Sequence, residues 1–228
     1  MAMTWEDLLF EHWPVPEELL RPLVPPGLDL ETRDGSAWLG VVPFRMRNVR
    51  LRGTPAPPWV GTFPELNVRT YVRHRGERPG VWFFSLDADQ PLAVAAARRL
   101  FHLGYVWADM SCTRDGGAVV YRSHRRGAPA GEAEWRGRYA SAGRAVPAPA
   151  GSLPDFLTAR YCLYAADARG RLYRGEIDHD PWPLEEATAE VDADTMTRPL
   201  GFELPGGEPL RWFARRLDVV AWPIQQIA

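Results

Sequence analysis

Pro64-Glu65-Leu66-Asn67-Val68-Arg69-Thr70-Tyr71-Val72 is the stretch that decides the fold, because polar side chains alternate along it with apolar or β-branched ones. A period of two predicts a β-strand, in which successive side chains point to opposite faces. The polar face carries Glu65, Asn67, Arg69 and Tyr71, and the other face carries Leu66, Val68, Thr70 and Val72. The polar face is either an ordinary solvated surface or the inner wall of a barrel that holds a small molecule.

The segment that follows this strand favours the second interpretation. After a turn at 76–80, residues 81–87 are strongly β-prone and almost entirely apolar, which predicts a hairpin covered on both faces. On a solvated face, a Glu65–Arg69 pair contributes at most about 1 kcal/mol. Inside a covered sheet, the same polar row needs partners or a ligand.

The rest of the chain is predicted to consist mainly of strands. Further strands are predicted at 28–32, 37–44, 45–52, 105–112, 118–123, 160–164, 172–177 and 216–222. Short helices are predicted at 5–10, 16–20, 153–158 and 183–187, with a longer, buried helix at 91–101 capped by Asp89. The Ala/Gly/Pro-rich segment 142–151 is interpreted as a surface loop and not as a linker. These patterns predict one α+β, mainly antiparallel β, barrel-like domain over residues 1–228.

The absence of lysine is the sharpest chemical fact in the composition. All 27 basic residues are Arg. A lysine Schiff base, a lysine general base and covalent pyridoxal phosphate all need the side-chain amine of lysine in its deprotonated form, so this chain cannot supply them.

Charge and cysteine content limit the partners and the location. A net charge of −2 gives no basic surface for nucleic acid. The local basic cluster 122–126 lies beside the Gly/Pro segment 127–131 and is interpreted as a solvated turn. Cys112 and Cys162 are isolated thiols, and the chain has no long apolar run, so we predict a cytoplasmic protein without membrane contact.

Motifs for common cofactors and nucleophiles are missing from the sequence. It contains no phosphate-binding glycine loop, no dinucleotide fingerprint and no G-x-S-x-G elbow. The five His residues are scattered, and Asp178-His179-Asp180 is interpreted as a polar turn before a Pro-Trp-Pro segment rather than as a metal site. We therefore predict no metal and no cofactor.

Several segments resemble one known family. Residues 63–72 and 80–88 look like the signature of the uncharacterised YqjF-like family, a domain of unknown function. Matching segments occur at 8–13, 37–44, 156–161 and 179–184, so the resemblance covers nearly the whole chain. That family in turn resembles the acetoacetate-decarboxylase-like superfamily, which implies a cone-shaped antiparallel β-barrel with an internal cavity and a few outer helices.

The same resemblance points to candidate site residues and to one departure. The decarboxylases use a Schiff-base lysine, whose place falls near Tyr105 and Val106 here, and neither residue forms an imine. Glu65 resembles a cavity glutamate of the decarboxylases. The candidate catalytic residues are therefore Glu65 and Tyr105, and the candidate ligand-binding residues are Asn67, Arg69, Tyr71, Trp82 and His102.

Two functional hypotheses remain open. In the first, the cavity binds a small anionic organic molecule. Arg69 is its charge partner, and Glu65, Asn67 and Tyr105 orient it. If this protein is an enzyme, Glu65 is the acid/base and Tyr105 donates a proton to an enolate-like oxygen, which suits lyase or isomerase chemistry without an imine. In the second, a non-catalytic ligand-binding or interaction protein has kept the fold and lost the reaction. A homo-oligomer also remains an open alternative.

Overall fold

The computed structural model describes residues 1–58, 61–126 and 131–227. The strands of this part of the chain are β1 (Ala2–Val15), β2 (Leu28–Leu30), β3 (Thr32–Arg33), β4 (Ser36–Arg50), β5 (Phe63–His74), β6 (Glu77–Ala88), β7 (Tyr105–Trp107), β8 (Asp109–Asp115), β9 (Ala118–Arg125), β10 (Ala133–Ser141), β11 (Val146–Pro147), β12 (Cys162–Ala166), β13 (Leu172–His179), β14 (Pro183–Asp194), β15 (Leu210–Ala221) and β16 (Gln225–Gln226). The helices are α1 (Glu17–Leu20), α2 (Pro91–Phe101) and α3 (Leu153–Thr158), with 3-10 turns at Arg21–Leu23 and Arg198–Leu200.

Seven strands close into a ring, and this ring encloses the interior of the molecule. Its order is β13-β12-β6-β5-β4-β1-β15, and β15 returns to β13 through pairs such as His179↔Val219. The pairing is antiparallel except between β12 and β6. The predicted mainly antiparallel fold is therefore confirmed, although the ring is not a clean barrel, because strands β14, β10, β9 and β8 continue from β15 as a second sheet.

The second sheet covers the outer face of the ring. Trp135 and Tyr121, from the second sheet, pack in one core with Leu66 and Val68 of β5. The Tyr121 hydroxyl donates to the backbone oxygen of Glu65 at 2.7 Å, which ties β9 directly to β5. The apolar face of β5 is thus buried against the second sheet, and its polar face points into the ring.

The hairpin and several smaller predictions are confirmed. Strands β5 and β6 pair with Glu65 opposite Ala88 and Tyr71 opposite Val81. Helices α1, α2 and α3 lie where the sequence predicts them. None of the helices in the described ranges has the length and apolarity needed to span a bilayer. The division into one domain over residues 1–228 stays a prediction.

Two predicted helices are wrong. Residues 5–10 belong to β1, which lies between β4 and β15. At Asp7 the chain adopts φ 56° and the register with β4 becomes irregular, as expected for a β-bulge. The extra residue interrupts the alternation, so the sequence around Leu8 and Leu9 looks helical although it is extended. Residues 183–187 are also extended and not helical. They form the first part of β14, where Glu185 and Glu186 pair with β15.

Two predicted environments are also wrong. Helix α2 is capped by the Gln90 side chain instead of Asp89, and Val94 is its one fully buried residue, so it is an outer helix and not a buried one. The basic cluster 122–126 lies partly on β9, where Arg125 is buried and paired with Asp87. It is therefore not a solvated turn, and residues 127–130 of the adjoining segment lie outside the described residues.

The cap of α3 matters because this helix leads directly into the ring interior. Ser152 accepts a hydrogen bond from the backbone N–H of Asp155. Ser152→Ala is expected to lower the free energy of unfolding by about 1 kcal/mol, since an N-terminal N–H then loses its acceptor. Urea denaturation measures this change, with the exposed Ser111→Ala as the matched control. Equal stability of the two variants would contradict a capping role.

Candidate functional site

A cavity of about 240 Å³ occupies the interior of the ring. Each of the seven ring strands contributes lining residues, and one face of α2 covers part of the space. Most of the lining is apolar. The lining residues with polar or charged side chains are Glu65, Asn67, Arg69, Tyr105, Thr158, Arg160, Glu176 and His179.

Glu65 and Tyr105 form a hydrogen-bonded pair in this cavity. The Tyr105 hydroxyl donates to Oε2 of Glu65 at 3.0 Å. Tyr105 reaches this place because β7 runs parallel to β6, with Tyr105 beside Leu86. The Glu65 side chain belongs to the inward face of β5, and the residue is only 2% exposed. Two side chains that are distant in sequence are thus brought together.

Burial raises the pKa of both members of this pair. It raises the pKa of Glu65 to about 8, with the hydrogen bond from Tyr105 acting in the opposite direction. Burial likewise raises the pKa of Tyr105 well above its usual value. At neutral pH the carboxyl group is therefore mostly protonated and able to donate a proton, and it becomes a base once that proton is lost.

Arg69 carries a positive charge into the same cavity without a counter-ion. It is 9% exposed, and its Nη2 donates to the backbone oxygen of Leu157 at 3.2 Å. Its guanidinium lies 5.5 Å from the ring centre of Phe10 and 5.8 Å from that of Tyr71. Its Nε has no partner, and no carboxylate within the described ranges forms an ion pair with it. A buried charge that the protein leaves unneutralised favours an anion beside it.

Asn67 lies between these two features on the same face of β5. The residue is 5% exposed, and its Oδ1 has no hydrogen-bond partner among the described residues. A buried amide in this state needs a partner from a ligand or from water. Glu65, Asn67 and Arg69 therefore present an acid, an amide and a cation in a row along the cavity wall.

Besides Glu176 of β13, three further polar residues of the wall are missed by sequence reasoning. Thr158 and Arg160 lie at the end of α3 and just beyond it, and His179 ends β13. Arg160 pairs with Glu31 and lies 4.9 Å above the ring of Tyr71. The only sequence signal for them was their place in the family-like segments 156–161 and 179–184, which carried no functional assignment.

His179 also corrects the interpretation of Asp178-His179-Asp180 as a polar turn. The His179 ring is buried, stacks on Tyr161 at 4.7 Å and lies near Trp182 at 5.3 Å. Burial lowers the pKa of His179, so the imidazole is neutral at physiological pH. Residues 1–58, 61–126 and 131–227 contain no group of three His, Cys, Asp or Glu side chains arranged to hold a metal.

The remaining three candidates do not line the cavity. Tyr71 is buried just beside it, where its hydroxyl contacts Nε2 of His12 at 2.6 Å and donates to the oxygen of Leu157 at 2.8 Å. Trp82 packs on another apolar cluster, with Val72. His102 ends α2 in the left-handed region and contacts the ring of Tyr173 at 4.7 Å.

Sequence comparison matches nearly the whole chain to proteins of undescribed activity. The DUF2071 family, described as an uncharacterized conserved protein, matches residues 2–218. The chain is also similar to the uncharacterized protein YqjF of Bacillus subtilis (strain 168), with 44% identity over 226 residues that cover 99% of this chain and 92% of YqjF.

Structural comparison confirms the acetoacetate-decarboxylase-like fold predicted for this chain. The enduracididine biosynthesis enzyme MppR complexed with pyruvate superposes with a TM-score of 0.70 at 13% identity, covering 100% of this chain and 90% of MppR. The acetoacetate decarboxylase from Legionella pneumophila superposes with a TM-score of 0.65 at 12% identity, covering 100% of this chain and 87% of the decarboxylase. At such identities the similarity shows the fold alone.

Proposed function

The chain belongs to the DUF2071 family of uncharacterized conserved proteins, and we propose that the interior of its strand ring binds a small anionic organic molecule. The observation that carries this proposal is Arg69, a buried guanidinium without a carboxylate partner in the described ranges. An isolated buried charge costs several kcal/mol of free energy, which a bound anion offsets. The pyruvate complex of MppR, which has the same fold, supports a small acid as the ligand class.

The arrangement of the cavity gives each candidate residue a role in this proposal. Arg69 pairs with the anionic group of the ligand, and the Asn67 amide orients the atoms next to that group. Glu65 and Tyr105 then face the middle of the molecule, where protonated Glu65 delivers a proton or its conjugate base removes one. The Tyr105 hydroxyl donates to an enolate-like oxygen. Proton transfer of this kind suits a lyase or an isomerase that forms no imine.

The absence of lysine favours a second candidate function. Since the chain has no lysine for a Schiff base, a binding protein that has kept the decarboxylase-like fold without the reaction is the alternative. The two candidates share the ligand site and differ in turnover. A ligand that Glu65→Gln still binds, and that wild type leaves chemically unchanged, supports the binding protein.

We also propose a cytoplasmic location, which the free thiols of Cys112 and Cys162 support.

A thermal-shift screen of small organic acids tests the proposed site. An acid that binds in the cavity is expected to raise the melting temperature of wild type, to raise that of Glu65→Gln to a different extent, and to lose its effect in Arg69→Ala. Arg138→Ala is the matched control, because Arg138 lies on β10 and pairs with Asp115 at the surface. An acid that stabilises all four proteins equally would refute the assignment of the site.

A further inference from the structure

The polarity of the cavity changes steadily along β5. From Arg69 through Asn67 and Glu65 to Phe63, the inward side chains pass from a cation to an apolar ring. Six residues of strand span about 20 Å. The facing positions on β4 are apolar, since Val42, Phe44 and Met46 lie opposite Asn67, Glu65 and Phe63. The cavity therefore has one charged end and one apolar end.

Helix α2 adds an apolar wall with space beneath it. It begins at Pro91, just after β6 ends opposite Glu65, so it covers the part of the ring away from Arg69. Its lining residues recur with helical spacing and are Ala93, Ala96, Ala97, Leu100 and Phe101. Alanine at three of these positions keeps the wall apolar while taking up little volume.

A small hydrophilic acid matches only one end of such a cavity. It pairs with Arg69 and leaves the apolar walls around Phe63 and Met46 in contact with water. Burial of apolar surface is worth about 0.8 kcal/mol per methylene group, so a ligand with an apolar body gains affinity along this wall. The cavity of about 240 Å³ holds roughly eight non-hydrogen atoms if each takes about 30 Å³, the volume of a water molecule in the liquid.

We infer that the ligand is a hydrophobic monocarboxylic acid of about five or six carbons, with its carboxylate at Arg69 and its apolar body directed past Glu65 toward Phe63 and α2. This inference rests on the proposed function, because it takes Arg69 as the anion partner. The inference adds the chemical class of the acid to that function. The volume of the cavity and the apolar character of its wall both favour a ligand with an apolar body.

A series of unbranched acids tests the class directly. Isothermal titration calorimetry with propanoate, butanoate, hexanoate, octanoate and decanoate is expected to give about fourfold tighter binding per added methylene up to hexanoate, and no gain beyond. Octan-1-ol and octylammonium are expected to bind at least tenfold more weakly than octanoate, because neither offers an anion to Arg69.

Filling the apolar end of the cavity gives the second test. Ala97→Phe places a ring under α2, and is expected to weaken hexanoate at least tenfold while leaving propanoate within twofold of wild type. Ala95→Phe is the matched control, because Ala95 is exposed on the same helix and does not line the cavity. Its affinities are expected to equal those of wild type.

The outcomes separate this inference from the proposed function. If affinity does not depend on chain length, or if Ala97→Phe and Ala95→Phe behave alike, the hydrophobic-acid inference is overturned. Binding of propanoate or pyruvate that still requires Arg69 would leave the proposed function intact in that case. If no acid binds wild type more tightly than Arg69→Ala, both fail.

Discussion

Raising the pH from 5 to 8 is expected to lower the free energy of unfolding of wild type by roughly 3 kcal/mol more than that of Glu65→Gln. The reason is that burial raises the pKa of Glu65 to about 8 in the folded protein, against an ordinary value of 4.5 in the unfolded chain. Between these two values the folded state holds a proton that the unfolded state has released. Each pKa unit of this difference corresponds to about 1.4 kcal/mol.

The sign of this effect follows from proton linkage. A group whose pKa is raised by folding stabilises the protein fully below its unfolded pKa, and this contribution is lost as the pH rises toward the folded pKa. Wild type therefore loses stability from about pH 4.5 to 8, whereas glutamine at position 65 does not titrate. Asp194, whose pKa burial raises to about 7, contributes a similar loss to both proteins and cancels in the comparison.

Urea denaturation at a series of pH values measures the difference. Glu190→Gln is the control, since Glu190 is exposed on β14 and its replacement is expected to leave the pH dependence of wild type unchanged. If the stability curves of Glu65→Gln and wild type run parallel from pH 5 to 8, Glu65 titrates like an exposed carboxyl group. The role of Glu65 as a proton donor at neutral pH would then be lost.

Arg69→Met is expected to weaken binding of an anionic ligand about 100-fold or more. Removing one partner of a buried charge pair generally costs about 2–5 kcal/mol of binding free energy. Among the cavity cations in the described ranges, Arg69 is the one without a carboxylate partner, so no other cation replaces it. Arg160, the nearest alternative, is already paired with Glu31. The affinity measured by calorimetry, with Arg138→Met as the control, tests this expectation.

The same substitution is expected to stabilise the ligand-free protein by about 1–2 kcal/mol. Arg69 is desolvated without a counter-ion, and its contacts over Phe10 and Tyr71 only partly offset that cost. The backbone oxygen of Leu157 keeps its hydrogen bond from Tyr71 when the guanidinium is removed. Loss of stability in Arg69→Met without ligand would show that Arg69 serves the fold instead of the ligand.

The sequence predicts the local part of this fold well. The hairpin of β5 and β6 follows from the alternation at 64–72 and from the turn before 81, both of which are local signals. Closure of the ring depends on β13 meeting β15, a pairing between segments far apart in sequence that no local pattern encodes. Strand β1 was missed because the bulge at Asp7 interrupts its alternation.

Only part of the candidate site could be predicted from the sequence. Alternation placed Glu65, Asn67 and Arg69 on one face, but it could not decide whether that face met water or a cavity, since this depends on closure of the ring. Thr158 and His179 enter the cavity from other elements, and their positions depend on the tertiary fold. Trp82 and His102 were predicted to bind the ligand, and the structure places both outside the cavity lining.

In the proposed complex, the interior of the ring holds an anion against Arg69. A crystal structure of the protein with the acid that stabilises it most tests this binding mode. We expect the carboxylate of the acid within hydrogen-bond distance of the Arg69 guanidinium, with the rest of the molecule beside Glu65 and Tyr105. An acid bound outside the ring, or inside it with its carboxylate away from Arg69, would contradict the account.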